Sequence, residues 1–332
     1  MNVNRRQFLH QSAFGTGVAM LGQFSTLGAS EPNPFAYKVD HLAKTDPKLV
    51  RFEQAGMWRC PASSPRQVAV GPEDRVFVAT AKGICVFAAD GVLLTEIPTR
   101  SAVRCLALAG DGTIFAGLRA RVEVFDAKYQ SLPGWDIPDP KTWLTGIAVT
   151  EKDVFLADSG NRVILRHDRS GKALKKIGEK DNTRNIPGLI VPSPYLDVKV
   201  APDGLLRVNN PGRHRVEAYT LDGDLEFAWG KPTAAIDGFC GCCNPIGIAL
   251  MPDGRLITCE KGLPRVKVYT SSGEFESVVA GPESFPENAR VGSVRDANDG
   301  TMGGLHAAVA SQGRVVVLDL ATGNVKTMQP KT

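Results

Sequence analysis

Three cysteines fall within four positions in the segment Phe239-Cys240-Gly241-Cys242-Cys243-Asn244-Pro245. Thiols this dense form disulfides, hold a soft metal ion, or carry out redox chemistry. Neighbours Cys242 and Cys243 are poor partners for each other, because the eight-membered ring strains the peptide; a disulfide would run from one of them to Cys60 or Cys259. Three thiolates joined by His214 or a fourth cysteine would instead suit a transition metal, Cu, Zn or Fe. Seven cysteines leave at least one thiol free if no metal binds. The candidate metal ligands are therefore Cys240, Cys242, Cys243 and His214, with Cys60 and Cys259 as further members. Redox chemistry would draw on Arg213, Arg215 and Lys261 to stabilise a thiolate. Glu260-Lys261 reads either as a surface ion pair or as an acid/base pair with displaced pKa values. Lys261, Glu260, Tyr195 and Arg213 are the candidates for holding or processing a substrate. Cys85 and Cys105 lie inside apolar alternation and read as small buried residues. His41 and His167 read as solvated, and His214 equally as a loop histidine bonded to backbone.

The elements that must carry these residues repeat. Apolar tetrads ending at Val70, Leu108, Val149, Val200, Leu250 and Val309 each run into a turn such as Ala201-Pro202-Asp203-Gly204. A second apolar run follows each turn, then a third such as Val122-Glu123-Val124-Phe125 or Val216-Glu217-Ala218-Tyr219, and usually a fourth such as Leu225–Trp229. Four short strands per unit of roughly 40–50 residues, without any long helical period, specify an all-β six-bladed β-propeller. The sixth unit has only three strands, and an unpaired outer edge is a liability. The alternating segment Lys48-Leu49-Val50-Arg51-Phe52-Glu53 is expected to supply the missing strand and close the ring. The expected organisation is a leader over 1–29, a wrapping arm over 30–47 and one propeller over 48–332, with a charged surface insertion between Gly281 and Gly304.

The units resemble NHL repeats, most clearly in Gly146-Ile147-Ala148-Val149 followed by Phe155-Leu156-Ala157-Asp158-Ser159-Gly160-Asn161-Arg162-Val163. The resemblance spans about residues 60–330. In such a ring the loops between second and third strands, and those between blades, open on one face. The cysteine loop, Pro192-Ser193-Pro194-Tyr195, Asn210-Pro211-Gly212-Arg213-His214, Cys259-Glu260-Lys261-Gly262 and Gly303-Gly304-Leu305-His306 all fall on that face. Cys60 precedes Pro65 by the same five positions that separate Cys240 from Pro245, which puts Cys60 in an equivalent loop, able to approach the others only across the channel mouth. These segments together resemble an exported bacterial group of NHL-repeat proteins carrying the Phe-Cys-Gly-Cys-Cys-Asn-Pro loop. Peptidyl-hydroxyglycine amidating lyases are similar in fold only: they need several channel histidines around zinc, and here only His214 and His306 are available.

The N-terminus, Asn4-Arg5-Arg6-Gln7-Phe8-Leu9 before a weakly apolar run from Ala13 to Phe24, resembles a twin-arginine export signal. Small residues around Leu27-Gly28-Ala29 would be the cut site. A periplasmic or extracellular monomer without a membrane anchor is implied. The net charge of +4 falls to +2 once residues 1–29 and their two arginines are removed, which argues against nucleic-acid binding. An apolar fraction of 43% excludes disorder as the main state. No Walker loop, GxSxG elbow or HExxH motif is present. Three functions remain: binding of a metal or small ligand at the loop face, a metal- or thiol-dependent oxidoreductase or lyase, and a scaffold for another exported protein with its cysteines in disulfides.

Overall fold

The computed structural model describes residues 40–286 and 303–331. The expected export signal, most of the expected arm and most of the Gly281–Gly304 insertion lie outside the described residues. The chain begins its strands with β1 (Phe52–Arg59). Blade one follows as β2 (Gln67–Val70), β3 (Val76–Ala79), β4 (Gly83–Phe87) and β5 (Leu93–Pro98). Blade two is β6 (Cys105–Leu108), β7 (Ile114–Gly117), β8 (Arg121–Phe125) and β9 (Ser131–Asp136). Blade three is β10 (Leu144–Val149), β11 (Asp153–Asp158), β12 (Val163–Asp168) and β13 (Ala173–Ile177). Blade four is β14 (Val198–Val200), β15 (Leu206–Asn210), β16 (Arg215–Tyr219) and β17 (Leu225–Trp229). Blade five is β18 (Gly247–Leu250), β19 (Leu256–Cys259), β20 (Val266–Tyr269) and β21 (Phe275–Ala280). Blade six is β22 (Leu305–Val309), β23 (Val315–Asp319) and β24 (Asn324–Pro330), with β1 as its fourth, outermost strand.

The ring therefore closes as expected, with the N-terminal strand antiparallel to β24 from Phe52 opposite Pro330 to Arg59 opposite Asn324. The closing strand starts four residues later than the pattern from Lys48 suggests. Leu49 and Arg51 are used first on blade five, where the Val278 amide donates to the Leu49 carbonyl at 2.9 Å and the Arg51 amide to the Val278 carbonyl at 3.1 Å. The same stretch of chain thus binds blade five before it settles on the sixth. The described end of the arm, the 3-10 turn Asp40–Ala43 and Thr45, lies against the turn Pro282–Ser284, with the Thr45 amide 3.3 Å from Glu283.

Burial follows the order of strands within a blade. The middle strands β3, β7, β11, β15, β19 and β23 are buried along their whole length, whereas the outer β13 exposes four of its five residues. Sheets pack face to face, and each seam has its own apolar cluster. The seam of blades one and two holds Phe77, Ile84, Leu106 and Phe125; that of blades five and six holds Ile257, Val268, Leu305 and Val317. The seam of blades four and five is the exception, with only Val216, Ile248 and Leu256 fully buried in its cluster. Alternate seams share a further device, an indole laid on a glycine of the next blade. A Cβ on Gly91, Gly171 or Gly273 would stand 2.5, 2.4 or 2.1 Å from Trp58, Trp135 or Trp229. Each glycine also has a left-handed φ of about +90°, which L side chains resist. His167, expected in solvent, is buried 6.1 Å from the Trp135 ring, because the outer strands of adjacent blades close over it.

The first strands β2, β6, β10, β14, β18 and β22 stand side by side around the central channel, β22 completing the circle against β2.

Candidate functional site

The seam between blades four and five, packed by Trp229, Phe239 and Tyr269 beside a small aliphatic cluster, is where the cysteine loop sits. A buried charge cluster takes the place of aliphatic packing. Glu260 (0% exposed) accepts from the Arg265 guanidinium at 3.0 and 2.8 Å and lies 2.9 Å from the Lys267 ammonium. The cations use their other hydrogens on the chain that leads to the cysteines. Lys267 donates to the carbonyls of Ile236 and Gly238 at 3.1 and 2.5 Å, and Arg265 to Ala234 at 3.0 Å. Glu260 also accepts the Cys240 amide at 3.2 Å. The Lys267 ammonium stands 4.5 Å above the Phe239 ring. Burial outweighs the attraction of Glu260 and lowers the Lys267 pKa to about 8. Glu260 is therefore not the partner of Lys261: residues adjacent at a strand end project oppositely, and Glu260 faces inward to its two cations.

Asn244, 1% exposed, ties the far end of the loop to the turn that carries Lys261. Its amide donates to the carbonyls of Cys240 and Lys261 at 2.5 and 3.0 Å, and its oxygen accepts the Lys261 amide at 2.9 Å. These bonds aim the Lys261 side chain across the seam at blade four. There its ammonium donates to Ser193 Oγ at 3.1 Å and lies 4.8 Å over the Tyr195 ring. Tyr195 is buried, and its hydroxyl donates to the Gly303 carbonyl at 3.1 Å.

Cys243 Sγ lies 3.0 Å from Ser193 Oγ and 3.1 Å from Cys242 Sγ. Lys261 can only donate to Ser193, which leaves the Ser193 hydrogen free to be given to a Cys243 thiolate. Burial would raise the Cys243 pKa, but the Ser193 and Cys242 hydrogen bonds and the Lys261 charge outweigh it, and the net shift is downward. Cys242 is the exposed member, and its pKa rises because its proton is held by Cys243. The arrangement is a pair of thiols in hydrogen-bond contact, open to solvent at Cys242 and backed by a serine and a lysine.

The other expected ligands are distributed differently. His214 does reach the loop: it has a left-handed φ of 54°, and its Nε2 is 2.6 Å from the Gly241 carbonyl, a contact that requires the proton on Nε2. Arg213 is turned away, to the carbonyls of Pro187 and Gly188. Cys240 contributes its backbone amide and carbonyl to the loop's scaffold. Cys259 is sealed in β19, where burial pushes its thiol far above the ordinary range. Cys60 belongs to the seam of blades six and one, packed with Cys85, whose thiol hydrogen bond lowers its pKa. Equivalent loops in a repeat lie a blade rotation apart, so matching sequence position does not bring Cys60 to the cysteine loop. The six-ligand set is thus not assembled, and among the described residues no group of three or more His, Cys, Asp or Glu side chains could hold one ion. Cys85 and Cys105 are buried as expected, the latter pushed up to about 12 chiefly by burial. Ser193 and Asn244 are the site residues that residue chemistry alone did not single out; their only signal was membership of the Pro-Ser-Pro-Tyr and Cys-Cys-Asn-Pro segments.

No described protein family and no curated protein matches the chain. Solved structures do. A streptogramin B lyase superposes with a TM-score of 0.55 at 15% identity, covering 84% of this chain and 97% of that one. A selenomethionine-substituted virginiamycin B lyase from Staphylococcus aureus gives 0.57 at 16% identity, covering 84% and 100%. A catalytically inactive histidine-to-alanine variant of the same organism's virginiamycin B lyase, with quinupristin, gives 0.55 at 16%, with the same coverage. At such identities the likeness is one of fold, a propeller shared with lyases.

Proposed function

We propose that this chain is an exported NHL-type propeller that captures a thiophilic ligand, a soft metal ion foremost, on the Cys242–Cys243 dithiol at the seam of blades four and five. The observation that carries the reading is the pair of sulfurs 3.1 Å apart, with Cys243 backed by Ser193 and Lys261, which favour its thiolate, and Cys242 facing solvent. Two thiolates without a third or fourth side-chain donor suit Cu(I) better than tetrahedral zinc. Lys261 offsets the negative charge that two thiolates and a monovalent ion would carry. The twin-arginine leader fits this reading, since a protein exported already folded can be loaded before export.

Titration with Cu(I) against a competing chelator tests it. One equivalent should bind, Cys242→Ser and Cys243→Ser should each abolish binding, and Cys60→Ser and Cys259→Ser should leave it intact. Affinity should fall as pH falls, because thiolates must lose their protons to bind. Binding that survives either loop substitution would end this reading. A lyase is the second reading, favoured by the Lys261–Ser193–Tyr195 contacts, which place an amine and a hydroxyl where a proton could be moved. Turnover of an added substrate that needs Lys261 but not Cys242 would put it first.

A further inference from the structure

The channel is a second place where chemistry-bearing side chains are buried without a full set of partners. Its inner strands leave a cavity of about 260 Å³ walled by aliphatic residues such as Val70, Leu108, Val149 and Val309. Among the described residues that line it, two can titrate, Lys199 of β14 and His306 of β22. They meet at Asp197, a carboxylate buried just before β14. Asp197 already accepts three hydrogens. Its Oδ1 accepts from the Val198 amide at 2.9 Å and Lys199 Nζ at 2.7 Å, and its Oδ2 accepts the Ile248 amide at 3.1 Å. Lys199 gives a second hydrogen to the Val198 carbonyl at 3.2 Å and has a third to spend.

His306, 7% exposed, is the unusual member. Its Nδ1 accepts the Val68 amide at 3.4 Å, so in the neutral ring the proton is on Nε2. That Nε2 has no hydrogen-bond partner, since Asp197 Oδ2 stands 3.6 Å away. Burial lowers the His306 pKa and favours this neutral form. A buried unmet donor costs about 1–3 kcal/mol, so an acceptor in the cavity would find a donor already desolvated. The charges of Asp197 and Lys199 cancel, and a neutral His306 adds none. An anion would lose its hydration there without a free countercharge.

We propose that the channel cavity is a binding site for a small neutral aliphatic molecule with one hydrogen-bond acceptor, a short-chain ketone or ester, whose oxygen takes the spare hydrogens of His306 Nε2 and Lys199 and whose alkyl chain fills the aliphatic tube. This site is separate from the cysteine loop and does not depend on its reading. The volume exceeds that of cavities known to admit benzene, about 150 Å³.

Ligand-observed saturation-transfer NMR on the intact protein with hexan-2-one and hexanoate as probes tests it. Hexan-2-one should bind saturably at about 1 mM or tighter, as befits a ligand of its size. Hexanoate should bind at least ~tenfold more weakly, for want of a countercharge. His306→Phe, which keeps the ring but removes the donor, should weaken hexan-2-one at least ~tenfold. Ala308→Phe should block the tube and abolish binding. If that variant does not fold, magnetisation transfer from hexan-2-one to 13C-labelled methyls of Ala69, Ala107 and Ala308 in the unmodified protein decides the location. Absence of saturable binding, equal binding of hexanoate, indifference to His306→Phe, or no transfer to those methyls would overturn the proposal.

Discussion

Glu260→Gln is the substitution whose consequence can be worked furthest. The carboxylate is shared by Arg265 and Lys267, which are 3% and 0% exposed. The amide keeps the shape but removes the charge, leaving two buried cations. Breaking a buried pair in this way costs about 3–5 kcal/mol. The share that falls on Lys267 has a ceiling, because the amine can shed its proton. With a folded pKa of about 8 against 10.5 when unfolded, Lys267 already opposes folding by about 3 kcal/mol. Complete deprotonation at pH 7 would raise that to about 5 kcal/mol, so no more than about 2 kcal/mol can be added there. Arg265 cannot escape by this route, and the rest of the loss is its own. For a chain of this length the sum corresponds to a fall in Tm of about 6–15 °C. Thermal melts followed by circular dichroism at pH 7 give the number. The sign of the pH dependence provides a second check. A lysine whose folded pKa is depressed has lost its proton in the folded state but not in the unfolded state between pH 8 and 10.5, so that group makes stability rise with pH across the window. The rise should begin at lower pH in Glu260→Gln. The double variant Glu260→Gln/Lys267→Met should recover part of the loss. A Tm within about 2 °C of the parent, or no recovery in the double variant, would refute the view that this cluster holds the seam.

Three further outcomes follow from the same geometry, and a fourth from the sequence of the N-terminus. Lys261→Met should move the deprotonation of Cys243 to higher pH, read as the 240 nm thiolate absorbance that disappears in Cys243→Ser; an unchanged midpoint would remove Lys261 from the site. Asp197 has its pKa lowered to about 2, its contacts with Lys199 and His306 overcoming burial, so its contribution of about 2 kcal/mol is present above pH 4 and lost as pH falls toward 2; Asp197→Asn should flatten that part of the acid-unfolding curve. Gly273→Ala should lower stability by about 2–4 kcal/mol through its clash with Trp229 and its left-handed φ, measured by denaturant unfolding; a loss below 1 kcal/mol would mean the indole moves freely. Exchanging Arg5 and Arg6 for lysine should stop export and processing, and a normally processed variant would point to an ordinary secretory leader.

The propeller was legible because its evidence is periodic. Segments such as Val122-Glu123-Val124-Phe125 and Val216-Glu217-Ala218-Tyr219 recur at matching places, and each becomes the third strand of its blade. The site was legible only in its parts. Cys242, Cys243, Lys261 and Tyr195 do converge, but Cys60 was drawn into the set by positional equivalence, which a rotating repeat converts into separation. Cys259 was assigned to a loop, whereas its strand continues long enough to bury it. Glu260 and Lys261 looked like a pair because they are adjacent, although alternation at the strand end divides them. The contact of Ser193 with Cys243 joins two long inter-blade loops 50 residues apart, and no local spacing encodes such a meeting.

The pairing of β1 with β24 also determines how the ring responds to tension. Glu53 and Gln329, 276 positions apart in the chain, bond side chain to side chain near the end of the sheet where Phe52 faces Pro330. Both ends of the propeller therefore leave the same sheet at the same corner. Pulling on them draws β1 and β24 apart from that corner, and the ladder bonds bear the load one after another instead of together. The clasp resists thermal opening through its many simultaneous bonds, but under a pull on its two tails it should peel like a zip, at a force far below that needed to shear strands of the same length.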